Sequence, residues 1–273
     1  MTSIASTTST TPSDLLRVAD LSAEQLNALL DLADEMRDGP GWWKAARQGT
    51  AVACVFDTPS ERTRAAFEAA ASRLGMRPIM LHRDELRLDS LGDTAAIVVR
   101  TSAQTTLEEL ADAASVPVVN AATEAHHPCK ALADLLTVRR HFGYLEAIRF
   151  AYVGEGSNVA HSLMEAGALA GMHVTVATPP GSDPHRDLTR AAMELAGLHG
   201  GSINVMHDAH SAVTNADVVY ALGEIDDAVL RAADPQAILL HSQPTGEQTA
   251  NRLPTAQATL HMLTSRRHHA DVY

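Results

Sequence analysis

Apolar residues fall into two kinds of block along the chain. Leu26, Leu29, Leu30, Ala33 and Met36 recur at the spacing of one helical face. Ser22 stands where an N-cap belongs, Gln25 holds the return position of a capping box, and Gly39-Pro40-Gly41 ends the helix. From residue 51 the pattern changes to short apolar runs separated by helical stretches. Strands are predicted over 51–56, 79–81, 96–99 and 116–119, with helices over 62–74, 107–114 and 130–142. A second series follows: strands over 149–153, 173–177, 203–206, 217–220 and 237–241, helices over 159–170 and 187–198, and a last helix over 248–263. Strands alternating with helices predict the α/β class, as two doubly wound domains with parallel sheets flanked by helices. The boundaries expected are 1–145, with a mobile tail over 1–13, then 146–247, then a terminal segment over 248–273.

Composition narrows the function classes. Lys and Arg total 21 against 33 Asp and Glu, a net charge of −12 over 273 residues. Such an acidic surface argues against nucleic acid or a membrane surface as partner, because both are polyanionic. No apolar stretch reaches the roughly 18 residues of a membrane span. Cys54 and Cys129 form no CxxC pair, and the first residues lack the basic and apolar regions of a secretion signal. The cytoplasm is the expected compartment.

Ligands of doubly wound sheets sit outside the carboxyl ends of the strands. The first strand-to-helix turn, 57–64, carries Ser60, Arg62, Thr63 and Arg64. Hydroxyls, guanidinium groups and the free N–H groups of a helix start suit an anion, most naturally phosphate. The same residues also suit a plain reading, in which Ser60 caps the helix and the arginines are solvated.

The stretch FDTPSERTRAAFEAAASRLG resembles the phosphate loop of the aspartate/ornithine carbamoyltransferase family, Ser-Thr-Arg-Thr-Arg followed by Phe-Glu. HHPCKALADLLTVRRHFG is similar to its His-Pro-x-Gln segment and the following helix. AYVGEGSNVAHSLMEAGALAGMHVTVATPPG is similar to the ornithine branch, HSQP at 241–244 to a degraded His-Cys-Leu-Pro, and NRLPTAQATL to the terminal Asn-Arg helix. The resemblance implies a carbamoyl-phosphate domain, an amino-acid acceptor domain and a last helix returning to the first. It implies carbamoyl transfer to an amine, with no metal or organic cofactor, in a homo-oligomer, a trimer in this family. Ser60, Arg62 and Thr63 match its phosphate group. Arg100 matches the arginine reaching phosphate and carbonyl oxygen, His127 the histidine polarising that oxygen, and Arg252 the terminal arginine near the carbamoyl group. Asn158 matches a contact to the acceptor's carboxylate.

The departures gather at the same site. Glu61 stands for the usual Thr, and Lys130 for a glutamine that accepts from the carbamoyl NH2; lysine has donors only. Two outcomes are open for this opposite-charge couple: an ion pair across the pocket, or both side chains turned to solvent. The segment 82–95, which in the family reaches the neighbouring subunit, is shortened. The acceptor loop shrinks to 217–224, where Asp217 is either the acceptor-binding aspartate or the start of its strand, and Ala221 and Leu222 replace a Ser-Met pair. Ser242 and Gln243 replace cysteine and leucine beside the carbamoyl group. These changes predict an acceptor other than ornithine, in specialised metabolism. The alternative is a non-catalytic homologue that binds an anion or a partner subunit.

Other signals carry less. Gly154-x-Gly156-x-x-Val159 lacks the third glycine of a dinucleotide fingerprint. The pairs His126-His127, His207/His210 and His268-His269 have no Glu or Cys at ligand spacing, which predicts surface histidines and no metal. Cys129 is read as structural, and Asp134 as an orienting or capping residue.

Overall fold

A computed structural model describes residues 13–39, 41, 43, 47–88, 94–243 and 246–265. Residues 1–12 of the expected tail over 1–13, Pro244 and the histidines at 268–269 lie outside the described residues.

Helix α1 spans Ala23–Asp38. Its capping box forms as the sequence predicts: the Gln25 N–H donates to Ser22 Oγ at 3.2 Å, and the Ser22 N–H to Gln25 Oε1 at 2.8 Å. A first sheet follows, from β1 (Ala51–Phe56), β2 (Arg77–Leu81), β3 (Thr94–Arg100) and β4 (Val118–Ala122). Its order is β2-β1-β3-β4, with every pairing parallel. The crossovers hold α2 (Glu61–Arg73) and α3 (Gln104–Ala113), and α4 (Pro128–Phe142) leads out of β4. Gly143 stops α4 at φ 84°, a left-handed conformation that glycine adopts without a Cβ penalty.

The second sheet has the order β7-β6-β5-β8-β9, also parallel. Its strands are β5 (Arg149–Val153), β6 (His173–Ala177), β7 (Ser202–Met206), β8 (Val218–Ala221) and β9 (Ile238–His241). The long crossovers are α5 (Asn158–Leu169) and α6 (Arg186–Leu198). Two short helices, α7 (Ala209–Val213) and α8 (Asp227–Leu230), were not expected; each starts on an aspartate whose carboxylate accepts backbone N–H groups. The single last helix expected over 248–263 is two, α9 (Gly246–Ala250) and α10 (Arg252–Thr264).

Helix α10 packs on α1, α2 and α4. Polar anchors fix that return. The Arg37 guanidinium donates to Asn251 Oδ1 and pairs with Glu247 at 2.7 Å, while Asn251 Nδ2 donates to Thr137 Oγ1 at 2.9 Å. α4 and α5 pack together and tie the two sheets. The turn before α4 is held by α5 at three points: His127 N–H to Ser162 Oγ at 2.8 Å, His161 Nδ1 to the Ala125 carbonyl at 2.9 Å, and Asn158 Nδ2 to the Thr123 carbonyl. A side-chain core of Leu, Val, Ala and Met runs from one sheet to the other, with Tyr152 and Tyr220 stacked 5.4 Å apart inside it. No helix among the described residues is long and apolar enough to cross a membrane.

Candidate active site

Each sheet has one point where strand order reverses. In the first it lies between β1 and β3, in the second between β5 and β8. Crevices form at such points, outside the carboxyl ends of the strands. Both halves of the expected site fall there.

At the first point the Asp57 N–H donates to the Arg100 carbonyl at 2.9 Å, joining the turn after β1 to the end of β3. Ser60 occupies the N-cap position of α2, yet its hydroxyl makes no cap; it donates to Thr63 Oγ1 at 2.9 Å. This excludes the plain capping role for Ser60 and leaves the first N–H groups of α2 for an anion. Thr63 is buried, and Arg62 stands exposed beside it.

Arg100, His127, Lys130 and Arg252 converge on this turn from the end of β3, the N-cap and first turn of α4, and the start of α10. Thr63, Phe67, His127, Cys129, Lys130 and Arg252 line one cavity of about 30 Å³. The electrostatics confirm the proximity. Burial, then the Arg252 charge, lowers the pKa of Arg100, and burial also lowers that of Arg252. The His127 pKa falls well below 6.5, first through burial and then through Arg100, Lys130 and Arg252. His127 Nδ1 and Arg100 Nε are enclosed without hydrogen-bond partners among the described residues.

Lys130 does not pair with Glu61. Its ammonium, 6 % exposed, donates to Asp134 Oδ2 at 2.7 Å, one turn along the same helix. Glu61 lies exposed at the start of α2, and no ion pair joins it to Lys130 among the described residues. Asp134 Oδ1 accepts from Gln248 Nε2 at 2.7 Å, and Gln248 also bonds both backbone groups of His241. Lys130 Nζ sits 4.8 Å from the centre of the Tyr220 ring, a cation–π contact. Burial, opposed by Asp134, lowers the Lys130 pKa. Asp134 therefore orients Lys130, and sequence reasoning missed Gln248 and Tyr220.

At the second point the Leu222 N–H donates to the Val153 carbonyl at 3.0 Å, so Gly154 and Leu222 face each other. Gly154 has φ 150°, and an added Cβ there would lie 2.4 Å from Leu222 Cβ. Ala221 is buried. Ser242 N–H reaches the Ala221 carbonyl at 3.1 Å and its hydroxyl the Leu222 carbonyl at 2.6 Å, while Gln243 is exposed. Gly154, Glu155, Thr178, His207, Leu222 and Glu224 border an open cavity of about 590 Å³. Asn158 opens α5 between the two points, but its amide is spent on Thr123.

Asp217 is not at the site. It precedes β8 at the opposite, amino edge of the sheet, where Arg149 binds it through its backbone N–H at 2.8 Å and its guanidinium at 2.7 Å. Burial alone would raise its pKa, but these bonds hold it below the usual value. His126 is not on the surface either: it is buried, with Nδ1 3.5 Å from Glu165 Oε1. Burial pushes the Cys54 and Cys129 thiols up to about 12, so neither is a ready nucleophile.

Residues 13–140 match the carbamoyl-phosphate-binding domain, and residues 146–222 the Asp/Orn-binding domain, of aspartate/ornithine carbamoyltransferases. The chain belongs to the aspartate/ornithine carbamoyltransferase family. It is 40 % identical to a protein of Parafrankia sp. named ornithine carbamoyltransferase, over 82 % of each chain. It is 38 % identical to a namesake from Acidothermus cellulolyticus, over 89 % of this chain and 94 % of that one. The crystal structure of ornithine carbamoyltransferase from Gloeobacter violaceus superposes with a TM-score of 0.86 at 36 % identity, covering 92 % of this chain and 98 % of that one. These relatives give no support to the expected departure from ornithine, nor to a place in specialised metabolism.

Proposed function

We propose that this family member transfers a carbamoyl group from carbamoyl phosphate to the side-chain amine of ornithine. The observation that carries this reading is the convergence of Arg62, Arg100, His127 and Arg252 on an uncapped helix start at the switch point of the first sheet. The division into 1–145, 146–247 and 248–273, and a trimeric assembly, belong to the same reading.

In this reading Ser60, Arg62, Thr63 and the α2 N–H groups bind the phosphate. Arg100 and Arg252 face the carbonyl oxygen as its negative charge grows. A neutral imidazole still carries one N–H, so His127 donates to that oxygen without first being protonated. The neutral amine's lone pair forms the new C–N bond, the bond between the carbamoyl carbon and the phosphate oxygen breaks, and phosphate leaves with that electron pair and takes up the proton the attacking nitrogen gives up. Glu155 and Glu224 at the open cavity favour an acceptor with net positive charge, as ornithine has and aspartate lacks. Asn158, Ala221, Leu222, Ser242 and Gln243 border the path between the two sheets.

The test is incubation with carbamoyl phosphate and a panel of amino acids and diamines, following phosphate and ureido product. Ornithine-dependent product is expected. Binding of carbamoyl phosphate without turnover on any amine would favour the second reading, a non-catalytic anion binder, for which Lys130 is the supporting observation.

A further inference from the structure

The donor pocket ends on an ammonium group. Lys130 Nζ has three N–H donors and no acceptor. One bond goes to Asp134 at 2.7 Å, and the Tyr220 ring lies 4.8 Å away. The second Asp134 oxygen is taken by Gln248 at 2.7 Å, so the one carboxylate beside the ammonium is engaged on both sides. Lys130 nonetheless lines the same cavity as Thr63, His127 and Arg252. All it offers a ligand there is a hydrogen to be accepted.

We propose that Lys130 makes this pocket select phosphorylated ligands whose far end is a carboxylate over those whose far end is a carboxamide. The proposal rests on the reading of the pocket as a phosphate-plus-acyl site and names its ligand class. A carboxamide NH2 against Lys130 sets donor against donor, and neither gains a bond from the other. A carboxylate oxygen in the same place accepts a charge-assisted bond. Glu61 does not offset this, because it is exposed and unpaired with Lys130. Carbamoyl phosphate, whose far end is an amide, is then a weaker ligand than a phosphorylated carboxylate of the same shape, and such carboxylates act as competitive inhibitors.

Phosphonoacetate and phosphonoacetamide differ only in that terminal group, and neither can transfer it. Calorimetric titration of the full chain with each is expected to show the carboxylate binding about tenfold tighter or more. In Lys130→Gln that ratio should fall at least tenfold; being internal to each variant, it is not moved by a general change in anion affinity. Lys130→Met supplies a second variant, expected to shrink the ratio without favouring the amide. Equal affinities in the unaltered chain, or a ratio that survives both substitutions, would overturn the proposal while leaving the phosphate pocket intact. If neither phosphonate nor phosphate binds, the pocket reading itself is lost, and the inference with it.

Discussion

Asp134→Ala would remove the one carboxylate that holds a buried ammonium. Lys130 is 6 % exposed, and Arg62 and Arg252 both act on it unfavourably. Breaking a buried pair from one side costs about 3–5 kcal/mol, because the other charge is left without compensation. The proton sets a ceiling. Discharging a lysine of ordinary pKa, about 10.4, costs about 4.6 kcal/mol at pH 7, so a larger penalty would be relieved by deprotonation. The loss expected is therefore about 3–4.6 kcal/mol at pH 7. The sign of its pH dependence follows. In the variant the folded-state pKa of Lys130 falls further below the unfolded one, so between the two values the unfolded state binds more protons and stability rises with pH toward lysine's unfolded value. Urea denaturation at pH 7 and pH 9 measures both, and the double variant Asp134→Ala/Lys130→Gln should recover most of the loss. A loss below about 1 kcal/mol, equal at both pH values, would show that the ammonium is solvated and the burial argument wrong.

Two further outcomes are expected. His127, held neutral by burial and three cations, should leave no ionisation near pH 6.5 in the kcat/KM profile; a step there that vanishes in His127→Asn would contradict its placement. Gly156→Ala would set a Cβ 2.2 Å from the Pro184 nitrogen and 2.4 Å from the Asp183 carbonyl carbon, backbone atoms that cannot swing aside. A drop of about 1–3 kcal/mol is expected by thermal or chemical melting, and an unchanged midpoint would rule out the close approach.

The strands were legible because parallel strands buried on both faces read as continuous apolar runs, as in 51–56 and 149–153. The short α7 and α8 were not, since four or five residues are too few to show a helical period. The anchor at Asn251, between α9 and α10, escaped because its partner Arg37 lies 214 positions away. The anion residues stood out because they flank strand-to-helix turns. The pairing of Lys130 was within reach of the sequence: Asp134 lies four residues on, the spacing of helix neighbours. Gln248 was not, being 114 positions from Asp134 and brought there only by the returning chain. Asp217 stayed undecided between its two readings because a carboxylate at the start of a strand looks the same in sequence whichever edge of the sheet it serves; the structure selects the strand start.

The return of α10 onto α1 also sets a clock. The apolar face of α1, with Leu26, Leu29 and Leu30, is covered in part by a helix whose anchor to it spans 214 residues. At about 5–20 residues per second of synthesis, that interval lasts roughly 10–40 s. Throughout it the part of that face which α10 will cover stays open, and the packing of α10 on α1, α2 and α4 waits until the second sheet has been made. The time that apolar strip spends uncovered is thus set by the rate of translation, not by the equilibrium stability of the finished fold.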